Sequence, residues 1–175
     1  VVNLAGQAVS GDLDANSFED ISQGSDYTGI NTDDTNGALN ITNNNLANVS
    51  GGTGILVGGM SGHTLTVESN TMDVDGGTGI SVNADDADAQ ATIEANDIEG
   101  SDNTDTGIAV DESGTNDAPT IDIIGGSVNN TATGIDATSD IGDFLNITDV
   151  ELTNVTSVGI DTGTNNFDGT GSEIL

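Results

Sequence analysis

Acidic side chains are the residues of this sequence with the clearest capacity for chemistry. The densest cluster is formed by Asp85, Asp86 and Asp88, and Asp111 and Glu112 form a second group further along the chain. Ca²⁺ takes about six to eight oxygen ligands, which proteins supply mainly as carboxylates and carbonyls. These five residues are therefore the predicted Ca²⁺ ligands. The alternative is a hydrated acidic rim that holds diffuse counterions.

The overall charge restricts the partners of the chain. The sequence has 30 Asp and Glu residues, no Lys or Arg, and a formal net charge of −30. Phosphate recognition depends on Lys and Arg, so nucleic acid is excluded as a partner, and attraction to anionic membranes is excluded for the same reason. Cations remain as favoured partners, together with neutral or cationic molecules. No stretch of the sequence is apolar and long enough to predict insertion into a membrane.

Carboxylates alone also support hydrolysis, because two of them serve as acid and base in many glycosidases. Here the carboxylates are too numerous for the sequence to single out a pair, and aromatic residues, on which sugar rings stack, make up only 2% of the chain. There is also no cysteine to act as a nucleophile. We therefore predict that the protein is not an enzyme. A carbohydrate-binding or carboxylate-only carbohydrate-active protein is the alternative.

These acidic segments alternate with a regular repeat. A Gly-Ile pair, usually preceded by Thr, recurs at steps of 25 to 28 residues. A period of this length is typical of solenoids, in which each repeat forms one coil. The copies are Thr28-Gly29-Ile30, Thr53-Gly54-Ile55, Thr78-Gly79-Ile80, Thr106-Gly107-Ile108, Thr133-Gly134-Ile135 and Val158-Gly159-Ile160.

A second pattern lies between the Gly-Ile copies and reads apolar-x-x-Asn-x-apolar. Apolar residues alternate on both sides of the Asn, which indicates short strands. We expect Asn to adopt the left-handed conformation of a tight corner and to bond to the amides above and below it. The copies are Leu13-Asn16-Phe18, Ile41-Asn44-Leu46, Val67-Asn70-Met72, Ile93-Asn96-Ile98 and the degenerate Ile123-Gly126-Val128 and Ile147-Val150-Leu152.

The two patterns together predict an all-β chain, folded as a right-handed parallel β-helix over residues 1–175. It should contain about six coils of roughly 25 residues, each with three short strands. Glycine before isoleucine suits a corner where a Cβ would clash. We expect altered corners at Gly126 and Val150, which replace the Asn.

The combined pattern resembles the repeat of the pectin-lyase-like right-handed parallel β-helix superfamily, from about Leu13 to Ile160. The resemblance implies the fold and says little about activity. It is closest in kind to non-enzymatic surface, adhesin and fibre proteins, because the Arg or Lys base of the pectate-lyase-like members has no counterpart in a chain that lacks both residue types.

The two ends bear on function. Residues 2–4 resemble the last strand of a preceding coil, residues 174–175 resemble the first strand of a following one, and neither end shows a capping helix. Uncapped solenoids expose sheet edges. We therefore expect either a segment of a longer solenoid or head-to-tail self-association into filaments. The predicted function is that of an extracellular structural or adhesive module, secreted or at the cell surface.

Overall fold

The computed structural model describes residues 1–7, 9–19, 27–32, 37–58, 64–83, 90–101, 104–111, 120–138 and 145–163. Within these residues the chain contains β-strands and no helix. In chain order the strands are β1 (Val2–Asn3), β2 (Gly11–Asp14), β3 (Ser17–Phe18), β4 (Thr28–Thr32), β5 (Leu39–Thr42), β6 (Asn45–Ser50), β7 (Thr53–Gly58), β8 (Thr64–Glu68), β9 (Thr71–Asp75), β10 (Thr78–Asn83), β11 (Gln90–Glu94), β12 (Asp97–Gly100), β13 (Thr106–Asp111), β14 (Thr120–Ile124), β15 (Ser127–Asn129), β16 (Thr133–Asp136), β17 (Leu145–Thr148), β18 (Glu151–Thr153) and β19 (Val158–Asp161).

The strands form three parallel sheets, which we name A, B and C. Sheet A has seven strands in the order β1-β4-β7-β10-β13-β16-β19. Sheet B contains β2-β5-β8-β11-β14-β17, and sheet C contains β3-β6-β9-β12-β15-β18. The chain passes from B to C to A in each coil, so every strand pairs with its counterpart one coil away. The predicted β-solenoid with three short strands per coil is confirmed.

The Gly-Ile copies stack in register along sheet A. Ile55 lies between Ile30 and Ile80, and the column continues through the isoleucines of the later coils. These side chains point inward, and the column is almost completely buried as far as Ile135. Burying one such side chain contributes about 1.5–3 kcal/mol. A repeated inward column of this kind, present on all three sheets, is what drives the coils to stack.

The asparagines of the second pattern form a ladder at the corner between sheets B and C. The Nδ2 group of Asn16 donates to Oδ1 of Asn44, that of Asn44 to Asn70, and that of Asn70 to Asn96, each at 3.0 Å. Each acceptor Oδ1 also receives the backbone N–H of the same Asn one coil earlier, at 2.9 to 3.0 Å. The predicted amide ladder is confirmed.

The backbone conformation predicted for these asparagines is wrong. The left-handed residue is the one before the Asn, with φ values of 52° to 56° at Ala15, Asn43, Ser69 and Ala95. The side chain of each Asn must point inward to join the stack. The left-handed residue turns the chain just before the Asn and makes this direction possible. The corner is altered at Gly126, as expected, because both Gly125 (φ 61°) and Gly126 (φ 76°) are left-handed.

At the second replaced corner the turn keeps its usual form. Asp149 is left-handed with φ 56°, as are its counterparts in the earlier coils, and Val150 is half-buried where Asn44, Asn70 and Asn96 carry a buried amide. The backbone N–H of Glu151 still reaches the carbonyl of Gly126 at 3.0 Å. The change at Val150 is therefore one of side-chain chemistry, not of backbone path.

Candidate functional site

The predicted Ca²⁺ ligands fall mostly outside the described residues. Asp85, Asp86, Asp88 and Glu112 all lie there, and only Asp111 is described. Asp111 ends β13, is exposed and pairs in register with Asn83 of β10. Among the described ranges, no group of three or more His, Asp or Glu side chains is arranged to hold a metal ion. The Ca²⁺ site therefore stays a prediction.

The carboxylates on the described strands are unevenly distributed among the three sheets. The strands of sheet A carry none from β1 to β10 and one each in the last three, at Asp111, Asp136 and Asp161. Of the carboxylates on the described strands, most lie on sheets B and C. Their carboxylates are Asp12, Asp14, Glu68, Glu94 and Asp122 on sheet B and Asp73, Asp75, Asp97, Glu99 and Glu151 on sheet C.

Most of these carboxylates are bonded to neutral donors in an adjacent coil. Since the chain has no Lys or Arg, Asn, Ser and Thr take the place that a cation would otherwise occupy. Hydrogen bonds to a charged acceptor are stronger than neutral ones. The pairs are Asn40 to Asp12 (2.7 Å), Thr42 to Asp14 (2.9 Å), Ser101 to Asp75 (2.8 Å), Ser127 to Asp97 (2.9 Å), Asn129 to Glu99 (2.8 Å) and Asn146 to Asp122 (2.7 Å).

Asp14 shows the effect of such donors on a carboxylate. The side-chain amide of Asn43 and the hydroxyl of Thr42 both donate to its Oδ1, each at 2.9 Å. These two bonds lower the pKa of Asp14 below its usual value, because they stabilise the ionised form. The donors therefore extend to lower pH the range over which this exposed carboxyl is ionised.

An open groove with a volume of about 480 Å³ lies on the outer face of sheet C. It forms beside Asn48, whose left-handed backbone (φ 57°) breaks the register between β6 and β9. Asp73 and Glu99 lie directly opposite each other on adjacent strands of this groove. Its acidic surface disfavours anionic ligands. The lining residues are Asn48, Asp73, Val74, Asp75, Glu99, Gly100 and Ser101.

Asp105 is a buried carboxylate that the sequence patterns did not single out. It lies at the corner between sheets C and A and is 0% exposed. Its oxygens accept the backbone N–H groups of Gly76, Gly77 (3.1 Å) and Ser101 (2.7 Å). The bonds join two coils, so the role is structural. One feature of the sequence could have indicated this residue. Asp105 immediately precedes Thr-Gly-Ile, at a position that is glycine in the two earlier coils.

Replacing Asp105 by Asn should lower the free energy of unfolding by about 3 kcal/mol. The amide keeps the shape but loses the charge and one of the two acceptors, so a buried N–H group loses its partner. Denaturant unfolding measures the difference. Asp97→Asn is the matched control, because Asp97 is exposed and bonded to one hydroxyl. Equal stability of the two variants would contradict the structural role.

The two ends of the described solenoid are partly apolar. Inward side chains of the first and last coils pack against the core but remain only half-buried, unlike their counterparts between them. Each terminal strand of the three sheets pairs on one side only within the described residues. The side chains are Leu4, Leu13 and Phe18 at one end and Val150, Leu152 and Ile160 at the other.

The fold and these surfaces define the chain as a parallel β-solenoid with an acidic exterior. No protein-family model matches the sequence, and no curated protein or solved structure matches it. Within the described parts of the chain, no helix has the length and apolar character to cross a membrane.

Screening of the surface charge should stabilise the protein. Raising the salt concentration shortens the Debye length from about 10 Å at 0.1 M to about 3 Å at 1 M, which weakens repulsion among the carboxylates. Each kcal/mol gained raises the melting temperature by about 2–4 °C in a chain of this size. Thermal unfolding at pH 7 in increasing concentrations of NaCl measures the change in melting temperature. CaCl₂ at matched ionic strength separates screening from specific binding. A melting temperature independent of salt would contradict this expectation.

Proposed function

We propose that the protein is an extracellular structural or adhesive β-solenoid module whose copies stack head to tail into a filament or sheath. The observation that carries this proposal is the relation between the ends. Over the described residues, β1, β2 and β3 form one end of the three sheets, and β19, β17 and β18 form the other. Because the strands of all sheets are parallel, one end continues the other, and repeated contacts of this heterologous kind build an open filament.

The outer surface supports an extracellular location at the cell surface or in a secreted assembly. A net charge of −30 keeps a filament soluble and attracts cations, including Ca²⁺. The repeat pattern also resembles the pectin-lyase-like superfamily, whose non-enzymatic members include surface and fibre proteins. Ca²⁺ bound at Asp85, Asp86, Asp88, Asp111 and Glu112 would add rigidity to the two coils that carry these residues.

The test is the state of association of the purified chain. Sedimentation velocity over increasing protein concentration, in NaCl and in CaCl₂ of equal ionic strength, should show species larger than the monomer. Negative-stain electron microscopy of the same samples should show unbranched rods in which the strands run across the long axis. A monomer at every concentration in both salts would overturn the proposal.

The groove on sheet C supports a second candidate, the binding of a neutral glycan by the monomer. Its polar lining offers carboxylate and hydroxyl oxygens, and its acidity excludes acidic sugars. A glycan array probed with the chain tests it. Binding should be lost in Glu99→Gln and retained in Glu68→Gln, which makes the same change on sheet B. A signal equal in both variants would contradict the groove as the site.

A further inference from the structure

The turn that follows β9 joins Asp75 to Gly76. An aspartate followed by glycine is prone to form a succinimide, because glycine has no Cβ to obstruct attack by its amide nitrogen on the aspartate side chain. Within the described residues, this is the single place where Asp or Asn is followed by Gly. The other two such pairs of the sequence, at 36–37 and 168–169, include residues outside that part of the chain.

Succinimide formation at this pair is a cyclisation that releases water. The amide of Gly76 loses its proton, and its nitrogen forms a bond to Cγ of Asp75. The Cγ–OH bond of the protonated carboxyl breaks, so that the hydroxyl and a proton leave as water. Hydrolysis of the ring returns aspartate or gives isoaspartate, in which the main chain passes through Cγ and is one carbon longer. That extra carbon would disturb the register of β9 with β6 and β12.

The amide proton that this reaction must remove is bound by a buried carboxylate. The N–H group of Gly76 donates to Oδ1 of Asp105, which also accepts the N–H of Gly77 at 3.1 Å. Asp105 is fully buried. Removal of the amide proton would leave a negative nitrogen beside a negative carboxylate, and a like charge disfavours ionisation of its neighbour. Asp105 therefore opposes the first step of the cyclisation.

The second reacting group, the carboxyl of Asp75, is held on the outer surface. It is exposed, and its Oδ1 accepts the hydroxyl of Ser101 at 2.8 Å. The backbone carbonyl of Asp75 accepts the N–H of Gly51 at 2.8 Å, which keeps the residue in the strand. Side chains of a strand stand roughly perpendicular to the sheet. The carboxyl is thus directed outward, whereas the N–H of Gly76 is directed inward to Asp105.

The reactive pair and the buried carboxylate occur together in the chain. One coil earlier, the place of Asp75 is taken by Ser50, which has no carboxyl group and is also followed by glycine. For that pair, the residue at the place of Asp105 in the next coil is Gly77, which has no side chain to accept a bond. The acceptor is therefore present at the corner where the neighbouring strand ends in Asp-Gly.

We propose that Asp75–Gly76 is a latent site of isoaspartate formation, and that Asp105 and Ser101 keep it unreactive in the folded chain. The inference is independent of the proposed assembly. It gives Asp105 a role beyond joining two coils, because the bond to Gly76 also withholds the amide proton from the cyclisation. Ser101 has the smaller effect, since it restrains only the exposed carboxyl.

The test is the rate at which isoaspartate accumulates in the folded protein at neutral pH. Cleavage after glutamate releases residues 69–94 as one peptide, in which mass spectrometry resolves isoaspartate at this pair from that formed elsewhere. Asp105→Ala should accumulate isoaspartate about tenfold faster than wild type, the rate equivalent of one hydrogen bond to a charged group. Ser101→Ala, which removes only an exposed bond, should accelerate the reaction about threefold.

Two controls separate protection of this pair from general loss of stability. Asn70→Ala also destabilises the same coil, but at the corner between sheets B and C, and leaves the bonds of Asp105 in place. It should accumulate isoaspartate at the wild-type rate under conditions where circular dichroism shows both variants folded. Adding Asp75→Glu to Asp105→Ala should abolish the signal, because the longer side chain would have to close a six-membered ring.

Hydrogen exchange reports the first step alone, because at neutral pH it removes the same proton from the amide of Gly76. That amide should exchange faster in Asp105→Ala than in Asn70→Ala. If Asp105→Ala does not fold, Asp105→Asn takes its place, since it keeps the shape, loses the negative charge and should also accelerate the reaction. Equal rates in the folded 105 and 70 variants would overturn the proposal. So would a folded wild-type chain that forms isoaspartate at this pair as fast as the chain in denaturant.

Discussion

Replacing Asn70 by alanine is expected to lower the free energy of unfolding by about 4 kcal/mol. The side chain is 1% exposed and lies in the middle of the amide ladder. Its Oδ1 accepts the backbone N–H (2.9 Å) and the side-chain amide (3.0 Å) of Asn44. Its Nδ2 donates to the carbonyls of Ile41 (2.9 Å) and Glu68 (3.2 Å) and to Oδ1 of Asn96 (3.0 Å).

The size of the expected loss follows from burial. Alanine removes every one of these bonds and leaves the buried backbone N–H of Asn44, in the earlier coil, without its acceptor. A buried group without a partner costs about 1–3 kcal/mol, and the other lost bonds add to this. Denaturant unfolding followed by circular dichroism measures the loss. Asn45→Ala is the control, since Asn45 is exposed at the start of β6. If Asn70→Ala were as stable as Asn45→Ala, the ladder would not contribute to the stability of the fold.

Replacing Gly107 by alanine should destabilise the protein by about 3 kcal/mol through steric conflict. A Cβ at this position would lie 2.5 Å from the carbonyl oxygen of Gly134 and would overlap the side chain of Val128. The first neighbour is backbone of the next coil and the second is core of sheet C, so neither can yield without moving a strand. The glycine column thereby lets sheets A and C approach each other at this corner.

The last glycine of the same column provides the matched control. Among the described residues, a Cβ at Gly159 meets only Leu152, at 3.7 Å, which is an ordinary contact. Gly159→Ala should therefore be neutral or stabilising by up to about 1 kcal/mol, because alanine restricts the unfolded chain more than glycine does. Thermal unfolding of the two variants distinguishes a steric effect from one of composition. Equal destabilisation in both would contradict the steric explanation.

The described strands also show how carboxylates are placed and stabilised in a solenoid without Lys or Arg. Carboxylates are kept off most of sheet A, and on sheets B and C many are bonded to amides and hydroxyls one coil away. Each coil therefore stabilises charge on its neighbour through neutral donors.

The sequence by itself determined the coils and their core. Alternating apolar residues repeated once per coil place one face of every strand inward, and only stacked parallel strands bury all of these columns together. The glycine before Ile108 and the amide of Asn70 were also predictable. Both are repeated at the same place in several coils, and the repetition reveals what the position requires.

Tertiary structure alone decided the features that occur once or that depend on stacking. The left-handed residue precedes the Asn and varies in type from Ala15 to Ser69, so no single residue marks it. Asp105 binds N–H groups of an earlier coil, and β1 covers the edge of β4, which are long-range relations that no local pattern contains. The register in which the coils stack likewise decides which carboxylates share a face. The number of residues between equivalent positions differs from coil to coil, so spacing along the chain does not show which carboxylates are neighbours.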